Sequence, residues 1–161
     1  MSDCRPAYTP LEPGIKLTKE DCPANEKDRE EMINVPYCEL ISSLMYVARN
    51  TRSDIAYAVT KLAQFSSNAG KVHWTEAKRI LRYLSKTSDL GLKYEKGAAT
   101  LEMWTDADWA GDIDDRHSFS GTPVTIGGNL VDWKTSKQKC ISTSTMEAEY
   151  VALSTVAKEA S

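Results

Sequence analysis

Apolar residues recur along the first half of the chain at helical spacing. They fall at Leu40, Ile41, Leu44, Met45 and Ala48 within residues 39–49, and at Ile55, Ala58, Val59 and Leu62 within residues 54–65. Steps of three and four return to one side of a helix, so both stretches are predicted to be amphipathic helices. Ser53 is the expected N-cap of the second, with Asp54 an acid suited to its first turn. A third helix is predicted over residues 74–86, with Trp74, Ala77, Ile80, Leu81 and Leu84 on one face and Lys78, Arg79, Arg82 and Lys86 on the other. The pattern then changes to short strand-like runs at 91–95, 101–108, 119–127 and 130–133, the last two joined by a turn at Gly128-Asn129. Ser142-Thr143-Ser144-Thr145 leads into a final helix from Thr145 to about Ala160. The first 36 residues differ, holding Pro6, Pro10, Pro13, Pro23 and Pro36 and a charged run over 26–31, which predicts an extended arm. The fold class is α+β: three helices, then strands, then one helix, with no internal repeat.

Composition narrows this little. Hydrophobic residues make up 41% and charged residues 27%, the ordinary globular range. The formal net charge of −3 provides no global basic field, so contact with nucleic acid has to come from a local patch such as the stripe Lys78, Arg79, Arg82 and Lys86. Cys4, Cys22, Cys38 and Cys140 show neither a C-x-x-C pair nor a neighbouring histidine cluster, so reduced thiols in the cytoplasm or nucleus are expected rather than zinc or disulfides. No stretch reaches the roughly 18 apolar residues of a membrane span, and residues 1–30 carry charges throughout with no apolar signal-peptide core.

Six acids and no base lie between positions 102 and 115, from Glu102 to Asp115, short of Arg116. Most suit a solvated loop, but Asp106 lies inside the apolar run 101–109, sharing a strand face with Glu102, Trp104 and Asp108. A strand carboxylate beside a core needs a partner, and a divalent cation is one. In the last helix Ser144 and Glu147 have the spacing of a capping box, which gives Glu147 a structural task. Glu149 heads the stripe Glu149, Ala152, Leu153, Val156, Ala160, and is the site candidate there. His73 reads as a helix-start residue, and with only His117 besides it a histidine mechanism has little to work with.

The runs 37–46 (Tyr37-Cys38-Glu39 onward), 51–59 (Thr51-Arg52-Ser53-Asp54-Ile55), His73-Trp74 and 78–84 resemble the copia-type retrotransposon Pol polyprotein. So do Thr105-Asp106-Ala107-Asp108-Trp109-Ala110-Gly111-Asp112, residues 115–121, Lys137-Gln138 and residues 144–153. The resemblance implies three parts: residues 1–36 as the end of reverse transcriptase, 37–88 as a helical connection region, and 89–161 as a truncated ribonuclease H-like domain. That domain would be an incomplete sheet of three antiparallel strands with one covering helix. It further implies that Asp106 and Glu149 are two of the catalytic carboxylates holding Mg²⁺ for cleavage of RNA in RNA–DNA hybrids, the basic stripe tracking phosphates. The family's other two carboxylates lie on a fourth strand and in a later segment, so the sequence ending at Ser161 is expected to be inactive alone and to need the rest of a Pol polyprotein. Ser53 stands where the family usually has Pro, and His117, Phe119 and Thr122 where it usually has Lys, Thr and Tyr. Arg79-Ile80-Leu81-Arg82 also resembles the motif of secreted RxLR effectors of oomycete pathogens, an alternative of another class: a non-catalytic protein, secreted into a host cell and bound to a host protein.

Overall fold

The computed structural model describes residues 4–159. The chain divides into two compact units, Met1–Gly91 and Leu92–Ser161.

The first unit is helical: α1 (Glu26–Met32), α2 (Tyr37–Asn50), α3 (Ala56–Ala63) and α4 (Lys71–Lys86), with short 3-10 turns at Lys19–Asp21 and Ser53–Ile55. Its core includes Ile41, Leu44 and Ala48 of α2, Val59 and Leu62 of α3, and Ala77 and Ile80 of α4, with Ile55 between α2 and α3, all at positions anticipated from periodicity, whereas Leu40, Met45, Trp74, Leu81 and Leu84 of the anticipated faces are only half-buried. Full burial of each large aliphatic side chain contributes about 1.5–3 kcal/mol. α4 begins three residues before the predicted start. Its N-cap is Gly70, whose N–H donates to Nδ1 of His73 (2.9 Å), and the His73 ring stacks on Phe65 with centroids 3.9 Å apart. His73 is thus the helix-start residue expected. Gly70 is required by close approach, since a Cβ there would sit 1.9 Å from the Asp21 carbonyl oxygen.

Two local expectations change. The 4–36 stretch carries α1, capped by Asn25, whose side chain accepts from Asp28 N (2.8 Å). It also buries Ala7, Leu17 and Pro23, so it packs rather than extends freely. Ser53 makes no side-chain cap bond to α3. Asp54 instead accepts two bonds from the Arg52 guanidinium (2.9 and 2.8 Å) and one from Tyr83 OH (2.7 Å).

The second unit is an antiparallel sheet covered by one helix: β1 (Leu101–Met103), β2 (Asp106–Ala107), β3 (Phe119–Ile126), β4 (Asn129–Lys137) and α5 (Thr145–Glu159). β1 and β2 are one interrupted strand, because Leu101↔Ile126 and Asp106↔Gly121 keep a single register along β3. The break falls at Trp104, whose N–H donates to Pro123 O (3.0 Å); Pro123 has no N–H to return the bond. The hairpin turn sits one residue earlier than expected, on Gly127 and Gly128, both at positive φ (58° and 80°) as a type I′ turn requires. Residues 91–95 form no ladder. Glu95 is instead held by the Asn129 side chain, which accepts from Glu95 N (2.7 Å) and donates to Glu95 O (2.9 Å). β4 runs four residues beyond the predicted end, a bulge between Val124 and Thr125 absorbing the offset.

Candidate functional site

Accessibility along β1 and β2 alternates: Glu102, Trp104 and Asp106 are exposed, while Met103, Thr105 and Ala107 are more covered. The face carrying Asp106 is therefore the solvent side. Ala107 turns the other way and packs with Ala148 and Ala152 of α5, where the absence of side-chain bulk lets helix and sheet approach closely. The buried ridge of α5 is Ala148, Ala152 and Val156, and Leu153 is 54% exposed. The expected stripe is thus rotated by about one position, which leaves Glu149 half-buried at the border of the ridge; Ala160 lies outside the described residues. Asp106 and Glu149 each sit one residue along the chain from the Ala107–Ala148 contact.

Glu147 takes the structural role expected of it. Its carboxylate accepts from Thr143 N (2.6 Å) and Thr143 Oγ1 (2.8 Å), and its own N–H donates to Ser144 Oγ (3.2 Å). The Thr143 donors hold the Glu147 carboxyl below its ordinary range. The reciprocal bond goes to Thr143 rather than to the N-cap itself, a variant of the capping box. Ser144→Ala is expected to lower stability by about 1 kcal/mol in urea unfolding.

By kind, Asp106 and Glu149 are the hard oxygen donors that suit Mg²⁺. By number they fall short, since among the described residues no three His, Cys, Asp or Glu side chains come together as a metal site.

The loop after β2 is built around residues to which the sequence assigned no individual role. Asp108 Oδ1 accepts from Phe119 N (2.6 Å), and a Cβ at Gly111 would lie 1.9 Å from Asp108 Oδ2, so a larger residue there would displace the Asp108 carboxylate. Lys137 at the end of β4 donates to Asp112 Oδ2 and Asp115 Oδ2, both at 2.7 Å. Burial alone would raise the Asp112 and Asp115 carboxyls, but the Lys137 ammonium and backbone N–H donors hold both below the ordinary range; burial would lower Lys137, and the two carboxylates outweigh it. Gln138, buried, donates to Ser120 Oγ (2.9 Å) and to the Ala148 carbonyl (2.8 Å), while its Oε1 accepts from Ser142 Oγ (3.2 Å). It thereby ties β3 to the peptide group joining Ala148 to Glu149. The motif Lys137-Gln138 is visible in the sequence; its partners, 4 to 25 residues away, are not.

In the first unit the basic stripe lies along α4. Arg79 donates to Thr9 O (3.3 Å) and Thr9 Oγ1 (3.1 Å), and the Lys86 ammonium lies 5.6 Å from the centroid of the Tyr8 ring. Lys78 rests over Trp74 of its own helix, 5.4 Å from the centroid. Ile80, inside the effector-like run, is fully buried.

The chain is 42% identical over 159 residues to the retrovirus-related Pol polyprotein from transposon TNT 1-94 of Nicotiana tabacum, covering 99% of this chain and 12% of that protein. It is 36% identical over 160 residues to the corresponding polyprotein from transposon RE2 of Arabidopsis thaliana, covering 99% of this chain and 10% of that one. The chain belongs to the copia-type retrovirus-related Pol polyprotein family. This copia-type segment spans about a tenth of the length of those polyproteins. It is also 43% identical over 130 residues to the secreted RxLR effector protein 161 of Plasmopara viticola, covering 80% of this chain and 92% of that protein. No family model and no solved structure matches the copia-type segment.

Proposed function

We propose that this copia-type segment joins the end of reverse transcriptase, a helical connection region and the first part of a ribonuclease H domain, with Asp106 and Glu149 as two carboxylates of a Mg²⁺-dependent centre that cleaves RNA in RNA–DNA hybrids. The observation that carries the reading is the β2–α5 contact: Ala107 meets Ala148 and Ala152, and an acid adjoins the contact on each element. Among the described residues β2 pairs with β3 alone, and Asp106 is exposed on it. Further carboxylates have to join these two before a two-metal reaction is supported. Gln138 fixes the carbonyl next to Glu149, and Asp108 fixes the start of the loop after Asp106. A cytoplasmic or nuclear setting suits such a segment, and no helix among the described residues is long and apolar enough to cross a membrane.

The test is Mn²⁺ titration followed by NMR line broadening. Signals of both Asp106 and Glu149 should broaden together, and Asp106→Asn should abolish the effect at Glu149. Broadening confined to one of them would overturn the pairing. In a gel assay with Mg²⁺, the 161-residue polypeptide should cleave hybrid RNA no faster than its Asp106→Asn variant; cleavage that the substitution abolishes would show the carboxylate set completed in another way.

The likeness to the Plasmopara viticola protein supports a second reading, a secreted effector carrying Arg79-Ile80-Leu81-Arg82. In this fold those residues sit inside α4 with Arg79 bound to Thr9. Uptake by host cells that an Arg79→Ala, Arg82→Ala double variant abolishes without unfolding would favour the effector.

A further inference from the structure

The four cations of α4 are not equivalent. Arg79 and Lys86 face the N-terminal stretch, the first through hydrogen bonds to Thr9 and the second over the Tyr8 ring. Lys78 and Arg82 have no acidic partner among the described residues, and the Nε of Arg82 is shielded from solvent without an acceptor. Both line one cavity of about 380 Å³, together with Cys4, Thr75 and Leu81 among the described residues. Separated by four positions, they lie one above the other on a helix face, roughly 6 Å apart at Cβ. A buried donor with no acceptor is unfavourable by about 1–3 kcal/mol, so a guanidinium so placed favours an anion that supplies one.

We propose that this cavity is an anion site for a backbone phosphodiester of a nucleic-acid strand, with Lys78 and Arg82 as its two cations, and that Arg79 and Lys86 hold the N-terminal stretch instead. The planar guanidinium of Arg82 presents paired donors to phosphate oxygens, and Lys78 adds a point charge beside them. Leu81 offers an apolar wall to the sugar. An acidic peptide fits less well, because a helix face has no free backbone donors or acceptors to pair with an extended chain. The choice of nucleic acid rests on the proposed function, but the site does not depend on Asp106 or Glu149.

The experiment is fluorescence anisotropy of a labelled RNA–DNA hybrid with the full 161-residue chain across a salt series. Lys78→Gln and Arg82→Gln should each reduce the slope of log K against log salt by roughly 0.9, and together by about twice that. Arg79→Gln and Lys86→Gln should leave the slope unchanged, while Arg79→Gln lowers the thermal midpoint. Asp106→Asn should leave the slope unchanged as well, so loss of the metal reading and loss of this one are told apart. Circular dichroism checks that each variant is folded. Three results would overturn the proposal: an unchanged slope in the Lys78 and Arg82 double variant, an equal reduction from Arg79→Gln, or equally tight binding of polyglutamate. Binding of inorganic phosphate that is lost with Arg82→Gln, with no binding of hybrid or single strand, would likewise reject a nucleic-acid site in favour of a free anion.

Discussion

Lys137→Met should destabilise the sheet-bearing unit by about 2–4 kcal/mol at neutral pH, measured by urea unfolding. The lost ammonium donates to Asp112 and Asp115 at 2.7 Å each, and the Asp112 side chain is only 8% exposed. Without Lys137 that carboxylate remains buried with backbone N–H donors alone. The pH dependence supplies a second check. Asp112 and Asp115 have folded pKa values below their unfolded ones, so their contribution is present above the unfolded carboxylate range and is lost as pH falls through the folded values. Lys137 is raised, so its contribution is present below its unfolded value of 10.5 and is lost as pH rises through the folded one. The gap between the native chain and Lys137→Met should therefore narrow as pH drops between about 5 and 2, because protonation relieves the stranded carboxyls. A gap constant across that window would show that the variant acts through packing rather than charge.

Arg52→Met should cost the helical unit about 2–4 kcal/mol, because several bonds to one buried guanidinium are lost together. Arg52 holds Asp54 with two bonds and also donates to the Thr87 carbonyl (2.9 Å) and to Thr87 Oγ1 (2.6 Å) at the C-terminal end of α4. Its partnership keeps the Asp54 carboxyl below the ordinary range. Arg52→Lys should recover little of the loss, since an ammonium cannot span Asp54 and Thr87 as the planar fork does. A loss below about 1 kcal/mol in urea unfolding would assign the cluster to the class of surface pairs.

Both clusters join residues far apart along the chain. In the string Thr51-Arg52-Ser53-Asp54 the local pattern makes Asp54 a first-turn acid behind a Ser53 cap. Local rules weigh a residue against neighbours three or four positions away, and they cannot register Thr87, 35 positions on. Lys137-Gln138 was recognised in the same way without its partners. Glu147, by contrast, was legible because its partners Thr143 and Ser144 lie within one turn. The stripe headed by Glu149 was misjudged by about one position, since hydrophobicity favours Leu153 whereas close packing on Ala107 selects the small ridge Ala148 and Ala152.

The three principal helices of the first unit, the β3–β4 hairpin, the cap of α5 and the α+β class are legible from the amino-acid order, because each depends on periodicity or on turn chemistry acting within a few residues. Packing sets the rest: that Pro123 interrupts the strand carrying Asp106, that Asp106 faces solvent while Ala107 meets α5, and that Arg79 is engaged by Thr9 while Arg82 is not. Polar pairing acts only at short range. A hydrogen bond or ion pair exists only within about 3–4 Å, and which of many acids, carbonyls and cations come that close is set by how the elements pack.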